Sequence, residues 1–273
     1  MPEMDARTGN TAAAAENAEI KEIWEGDAGV YDKGVKKELE NAEGEAAKWA
    51  ELVLSRAPQE GPLQILDCGT GPGFFPVILG KRGHHVTGID LTENMILKAK
   101  ENVQAAGVTA ELRVMDCQET DFADNTFDMI ISRNITWTLS DPPKAYREWQ
   151  RILRPGGRLL VFDGNYYLHL FDEERMKTFR YLDDRMKKER GHGIFSHSGA
   201  GDTFADVSAK LFMSSRRRPQ WDLECLLELG FREVFAVPDI RTCMPGQAEP
   251  ADGLDREMQA FMPLFLVGGE KAV

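Results

Sequence analysis

Ile65-Leu66-Asp67-Cys68-Gly69-Thr70-Gly71-Pro72-Gly73-Phe74 decides the fold. Apolar residues run into an acid and then into three alternate glycines. That is the pattern of a buried strand opening into a turn that lies against a ligand and passes into a helix. Side chains at those alternate positions would crowd whatever the turn holds.

Outward from this stretch the pattern is regular. Strand-like runs fall at 64–68, 85–90, 111–115, 127–132 and 158–162, and helical stretches at 74–81, 92–105 and 142–153 separate them. Thr92 is placed to cap the second of these helices, and Pro155-Gly156-Gly157 to stop the third. Alternating strands and helices of this length specify a mostly parallel, doubly wound α/β sheet. The rhythm lapses over 166–219, a charged and aromatic stretch read as a cap on the sheet edge. It resumes with a helix at 221–229 and strands at 233–237 and 261–267. Before the core, residues 1–17 read as a frayed tail, followed by helical segments near 20–24 and 38–57. The domain reading is therefore a tail and helical lid at 1–59, a core at 60–165, a cap at 166–219 and completion of the same α/β domain at 220–273.

The 273 residues suffice for one large α/β domain with a modest elaboration. Lys and Arg number 33 against 45 Asp and Glu, a net charge of −12 whose field opposes nucleic acid and anionic membrane. Arg216-Arg217-Arg218 is the main basic cluster. It reads as a solvated face, with an anionic substrate pocket as the alternative. The four cysteines, Cys68, Cys117, Cys225 and Cys243, lack CxxC spacing, and reduced cytoplasmic thiols are the simpler reading. Neither a secretory apolar core near the start nor an uninterrupted bilayer-length segment is expected. No metal site is expected, because no recognised ligand spacing joins the histidines, acids and cysteines.

Two nucleotide signatures fail in the glycine turn. For GxGxxG the third glycine would fall on Phe74 or Pro76, and no GxxxxGK[ST] follows the strand. Asp67-Cys68-Gly69-Thr70-Gly71-Pro72-Gly73 instead resembles the DxGxGxG motif of class I S-adenosylmethionine-dependent methyltransferases. Asp90, ending Val86-Thr87-Gly88-Ile89-Asp90, resembles the second motif of that superfamily. Met115-Asp116-Cys117 resembles the third, and Leu153 to Leu159 the later turn into strand five. The resemblance covers residues 60–165 and implies a Rossmann-like sheet of seven strands with an N-terminal helical lid and an insertion after strand five. It implies S-adenosyl-L-methionine as cofactor and S-adenosyl-L-homocysteine as product.

Roles follow residue by residue from the resemblance. Asp67 would meet the methionine ammonium, and Gly69 and Gly71 would admit the cofactor to the backbone. Asp90 would accept from the ribose hydroxyls, Asp116 from the adenine amino group, and the amide beside it, at Cys117, would address a ring nitrogen. Arg133 and Asn134 would lie by the sulfonium, with Asn134 counted among the cofactor contacts. Trp24 and Tyr31 resemble the aromatic lid of small-molecule relatives, in which Tyr31 would donate to the methionine carboxylate and Trp24 would pack over the pocket or simply dock its helix; Trp137 would wall the site or cover the sheet. Methyl transfer needs a base only when the acceptor keeps its proton. His192 and His197, in Gly191-His192-Gly193-Ile194-Phe195-Ser196-His197-Ser198-Gly199, are the candidates. The function expected is methyl transfer to a small organic acceptor, with no membrane or nucleic-acid partner and a homo-oligomer left open. RNA or protein methylation, and a noncatalytic cofactor-binding regulator, are the alternatives.

Overall fold

The computed structural model describes residues 6–40, 44–196, 204–244 and 253–273, and the side chains from residue 17 onward within them. Among these the strands form one seven-stranded sheet of order β3-β2-β1-β4-β5-β7-β6. The first five are β1 (Gln64–Cys68), β2 (His85–Asp90), β3 (Glu111–Val114), β4 (Phe127–Arg133) and β5 (Leu153–Asp163), all paired in parallel. The last two are β6 (Arg232–Val237) and β7 (Phe265–Glu270), and β7 runs antiparallel to both of its neighbours. β1 and β4 are almost wholly buried, as central parallel strands with helices on both faces must be.

Helices cover both faces. On one, α2 (Glu45–Leu54) and α3 (Phe74–Gly80) bring Trp49, Phe75 and Leu79 onto Ile65, Met129 and Phe162. On the other, α5 (Pro142–Ile152) and α7 (Gln220–Glu228) bring Tyr146, Trp149 and Leu226 onto Leu66, Ile130 and Phe265. The helix α4 (Glu93–Ala105) packs so closely on the glycine turn that a Cβ on Gly73 would sit 3.1 Å from Ala99 Cβ. Gly73 also has φ +85°, so it is glycine for two reasons.

Several boundaries differ from expectation. The backbone from Ala6 is already helical, and α1 runs unbroken over Ala6–Glu40. Polarity suggested a tail, whereas the alanines at 12–15 are among the strongest helix formers. Thr92 does not cap α4. Its hydroxyl bonds Asp90 Oδ1 at 2.8 Å, while Glu25 of α1 accepts from the amides of Glu93 and Asn94 at 2.8 and 3.0 Å. Pro155-Gly156-Gly157 lies within β5, at a register shift between Phe127 and Met129 of β4. The last strand starts at Phe265 rather than 261, because α8 (Gly253–Phe261) carries Phe261 against α6 (Glu173–Arg190).

Within 166–219 the main helix is α6. A separate apolar cluster of Ile20, Tyr167, Phe204, Val207 and Leu211, joined by Trp24 and Trp137, ties this segment to α1. No helix among the described residues is long and apolar enough to cross a membrane.

Candidate cofactor and acceptor site

The strand order reverses between β1 and β4, where connections leave to opposite sides and open a crevice at the carboxyl ends of the strands. A cavity lies there, enclosing with its open mouth about 1000 Å³. Asp67, Gly69 and Gly71 line it from the glycine turn, Asp90 from the end of β2, Asp116 and Cys117 from beyond β3, and Asn134 from beyond β4. Trp24 and Tyr31 line it from α1. Every residue expected to touch the cofactor is therefore brought to one cavity, although they span 111 positions (134 − 24 + 1) of sequence.

Gly69 has φ +71°, and a Cβ there would collide with Ile135, another lining residue. Asp67 is buried and accepts from the Thr70 hydroxyl at 2.7 Å. Burial pushes its carboxyl up to about 7, against the pull of Thr70 and the Arg133 guanidinium. A buried acid with one hydrogen bond is short of a cation, and an ammonium would supply it.

Asp90 is more heavily engaged than its sequence context suggested. Oδ2 accepts from Gly71 N at 2.9 Å, and Oδ1 from Thr92 N and Oγ1 at 3.0 and 2.8 Å. A carboxylate has about four lone-pair sites, so one remains, on the Oδ2 side. That suits a single ribose hydroxyl rather than two. Burial nonetheless raises the Asp90 carboxyl above its ordinary range.

At Asp116, Oδ1 accepts from Gln118 N at 2.8 Å, while Oδ2 accepts from Asn17 Nδ2 at 3.2 Å. A primary amide of α1 thus stands on the acid expected to meet an adenine amino group. Sequence reading missed Asn17, since nothing local marks a single polar residue in an alanine-rich helix. Cys117 is buried, its carbonyl accepts from Trp149 Nε1 at 2.9 Å, and burial pushes its thiol well up.

Asn134 adopts φ +59°, a left-handed conformation that Asn tolerates better than most residues. Its carbonyl accepts from Trp137 Nε1 at 2.9 Å and its Oδ1 from the Tyr166 hydroxyl at 2.9 Å. Burial raises both Tyr166 and Tyr31, the latter to about 12, so both remain phenols at neutral pH. Trp137 is not a lining residue. It packs behind Trp24, against Tyr166 and Phe204, with ring centroids 6.1, 5.3 and 4.8 Å away.

The candidate bases fare differently. His192 follows the end of α6, where its Nδ1 lies 3.0 Å from Gly193 O, and it does not line the cavity. Asp183 of α6 accepts from Ile194 N at 2.8 Å and folds this turn back on its own helix. His197 lies outside the described residues.

The arginine run is solvated only in part: Arg217 is exposed, Arg216 half-buried and Arg218 buried. Arg217 pairs with Asp172 at 2.6 Å, and Arg216 lies over the Phe212 ring at 3.4 Å. Arg218 is fully buried. Its Nε and Nη2 donate to Asp222 at 2.9 and 2.6 Å, Nη2 also to Thr136 Oγ1 at 2.6 Å, and Nη1 is 3.1 Å from Asp163. Burial opposes its charge, but Asp222 and Asp163 outweigh that and raise its pKa. Asp163 in turn accepts from the Thr136 hydroxyl and, at 3.1 Å, from Trp137 N. This buried network fixes the segment after Asn134. Asp222, four residues beyond Arg218, was the one local signal of it.

Carboxylates at one end of a crevice at a sheet's switch point, and a buried acid awaiting an ammonium at the other, suit an adenosine joined to an amino acid. The chain belongs to the class I S-adenosylmethionine-dependent methyltransferases, and S-adenosylmethionine is its cofactor. A family model described as a methyltransferase domain matches residues 66–161. The ubiquinone/menaquinone biosynthesis C-methyltransferase UbiE of Roseobacter denitrificans is 34% identical over 193 residues, covering 68% of this chain and 73% of that protein. Phosphoethanolamine N-methyltransferase 1 of Arabidopsis thaliana is 38% identical over 218 residues, 77% of this chain. The chain spans only 38% of that relative's length. Among solved structures, geranyl diphosphate C-methyltransferase from Streptomyces coelicolor shares the fold. Its TM-score is 0.56 at 16% identity, over 89% of this chain and 84% of that one.

Proposed function

We propose that this chain transfers the methyl group of S-adenosylmethionine to a small organic acceptor enclosed beneath α1. The observation that carries the reading is the enclosure itself. Ile20 and Trp24 of α1 line the cavity and pack in one aromatic cluster with Tyr167, Phe204, Val207 and Leu211, so the cap braces the helix that covers it. Relatives named for phosphoethanolamine, geranyl diphosphate and quinone precursors support a small acceptor. Of the arginine run, which favoured RNA or protein, Arg218 is spent on buried partners and Arg217 pairs with Asp172 at the surface. The four cysteines are free thiols, as suits a reducing, cytoplasmic setting, and the net charge of −12 opposes nucleic-acid and anionic-membrane partners.

When bound, the cofactor supplies an electrophilic methyl on a cationic sulfur. Asp67 holds the ammonium, Asp90 one ribose hydroxyl, and Asp116 the adenine amino group after releasing Asn17. Ile20, Trp24, Ile135 and Leu139 keep water from the reacting end. No histidine is among the described lining residues. The lining residues accelerate transfer by holding the acceptor in line and dry.

Calorimetry with S-adenosylmethionine, S-adenosylhomocysteine, NAD and ATP tests the cofactor, and the first two alone should bind. Labelled-methyl transfer to metabolite, RNA and protein fractions then tests the acceptor. Label chiefly in RNA or protein, or tight cofactor binding with no labelled product, overturns the reading.

A further inference from the structure

Arg133 is the one cation among the lining residues, in company with Asp67, Asp90 and Asp116. Its guanidinium is fixed on three sides. Nη2 donates to both oxygens of Glu38 in α1, at 2.8 and 2.9 Å. The group lies over the Trp49 ring at 4.7 Å and the Phe74 ring at 4.6 Å. That leaves Nη1, which is buried and has no hydrogen-bond partner among the described residues. An unpartnered guanidinium N–H in a buried site is costly, and the contacts of Arg133 with Glu38, Trp49 and Phe74 leave Nη1 unsatisfied. Its charge is felt at Asp67, Tyr31 and Tyr166, which places it near the acid assigned to the ammonium.

We infer that Arg133 recognises the α-carboxylate of the cofactor's methionine moiety through Nη1, with Glu38 and the two rings holding the guanidinium in position. The inference rests on the methyl-donor reading and moves Arg133 from the sulfonium, where sequence resemblance put it, to the amino-acid end. Asp67 and Arg133 then read the zwitterion as a pair, acid to ammonium and guanidinium to carboxylate. The same arginine links the cofactor to α1 through Glu38, so a bound carboxylate and a docked helix share one cation.

Decarboxylated S-adenosylmethionine, which lacks only that carboxylate, is the discriminating probe. The acids of the cavity favour this more cationic ligand, so a preference for the intact cofactor requires a local cation at the carboxylate. By calorimetry the wild-type protein should bind S-adenosylmethionine at least about tenfold more tightly than the decarboxylated form, the usual scale of a charge-assisted hydrogen bond. Arg133→Met should bring the ratio near one by weakening only the intact cofactor, and Arg133→Lys should keep part of it. Equal wild-type affinity for the two ligands overturns the assignment without any variant. So does an equal loss for both ligands in a folded Arg133→Met protein, which would mark Arg133 as a packing residue. Failure of both ligands and of S-adenosylhomocysteine to bind overturns the methyl-donor reading itself.

Discussion

Replacing Arg218 by Met tests whether the buried network around it holds the acceptor side of the cavity together. The side chains of Arg218, Asp163 and Asp222 are 1%, 0% and 0% exposed, so no solvent reaches the two acids once the guanidinium is gone. Methionine keeps much of the volume over the Phe265 ring, which the guanidinium now covers at 4.9 Å. The loss should therefore be electrostatic. Removing one partner of a buried ion pair costs about 3–5 kcal/mol. At roughly 2–4 °C per kcal/mol for a domain near this size, Tm should fall by roughly 6–20 °C. The pH dependence supplies the second reading. Burial already raises the Asp163 carboxyl, against the pull of Arg218, and losing that pull raises it further. An acid whose folded pKa lies above its unfolded value favours the fold while protonated and loses that advantage as pH rises toward the folded pKa. The deficit of Arg218→Met relative to wild type should accordingly be larger at pH 7.5 than at pH 5, by at least about 1 kcal/mol. Thermal melts across that range, followed by circular dichroism, measure both quantities. A Tm within about 2 °C of wild type, or a deficit that does not change with pH, would refute the reasoning.

Three further outcomes are expected. The Asp67 carboxyl, raised to about 7 by burial, is neutral below that pH and charged above it. Affinity for S-adenosylhomocysteine should therefore rise from pH 6 to pH 8 with protons released on binding, and calorimetry in two buffers should find this slope absent in Asp67→Asn. The same shift makes the ligand-free protein lose stability as pH climbs from about 4 toward 7. Asp90→Asn should raise the Kd for S-adenosylhomocysteine about 10–100-fold while Tm stays within a few degrees, and an unchanged Kd would remove Asp90 from the site. Gly69→Ala combines a strained φ with a collision on Ile135. It should cost about 1–3 kcal/mol in denaturant unfolding and weaken cofactor binding, and a variant as stable as wild type would show that the turn can relax.

The parts of the fold legible in sequence are those whose physics is local. β1, β2 and β4 are short apolar runs bounded by turns, and their edges lie within a residue of where the pattern put them. The three acids at strand ends were visible because topology brings successive strand ends to one edge. What was hidden depends on distant partners. Polarity concealed the first part of α1, and only the folded structure shows Asn17 bonding an acid 99 positions away. Glu25 reaches α4 across 68 positions and takes the place Thr92 was expected to fill. Arg218 looked solvated because a run of three basic residues does not reveal that one of them faces Asp163, on a strand 55 residues earlier (218 − 163). His192 and His197 stood out for their chemistry alone, in a segment whose path the sequence leaves open.

The carboxylate of Glu25 on the first amides of α4 makes the docking of α1 observable without any ligand. The amides of Glu93 and Asn94 are protected by a side chain from another helix, not by the helix they begin. Each time α1 lifts, those two protons become free to exchange, while the rest of α4 keeps its own ladder. Their exchange rates thus count openings of the cavity's roof, and the slowing that cofactor imposes on them measures how firmly it holds the roof down.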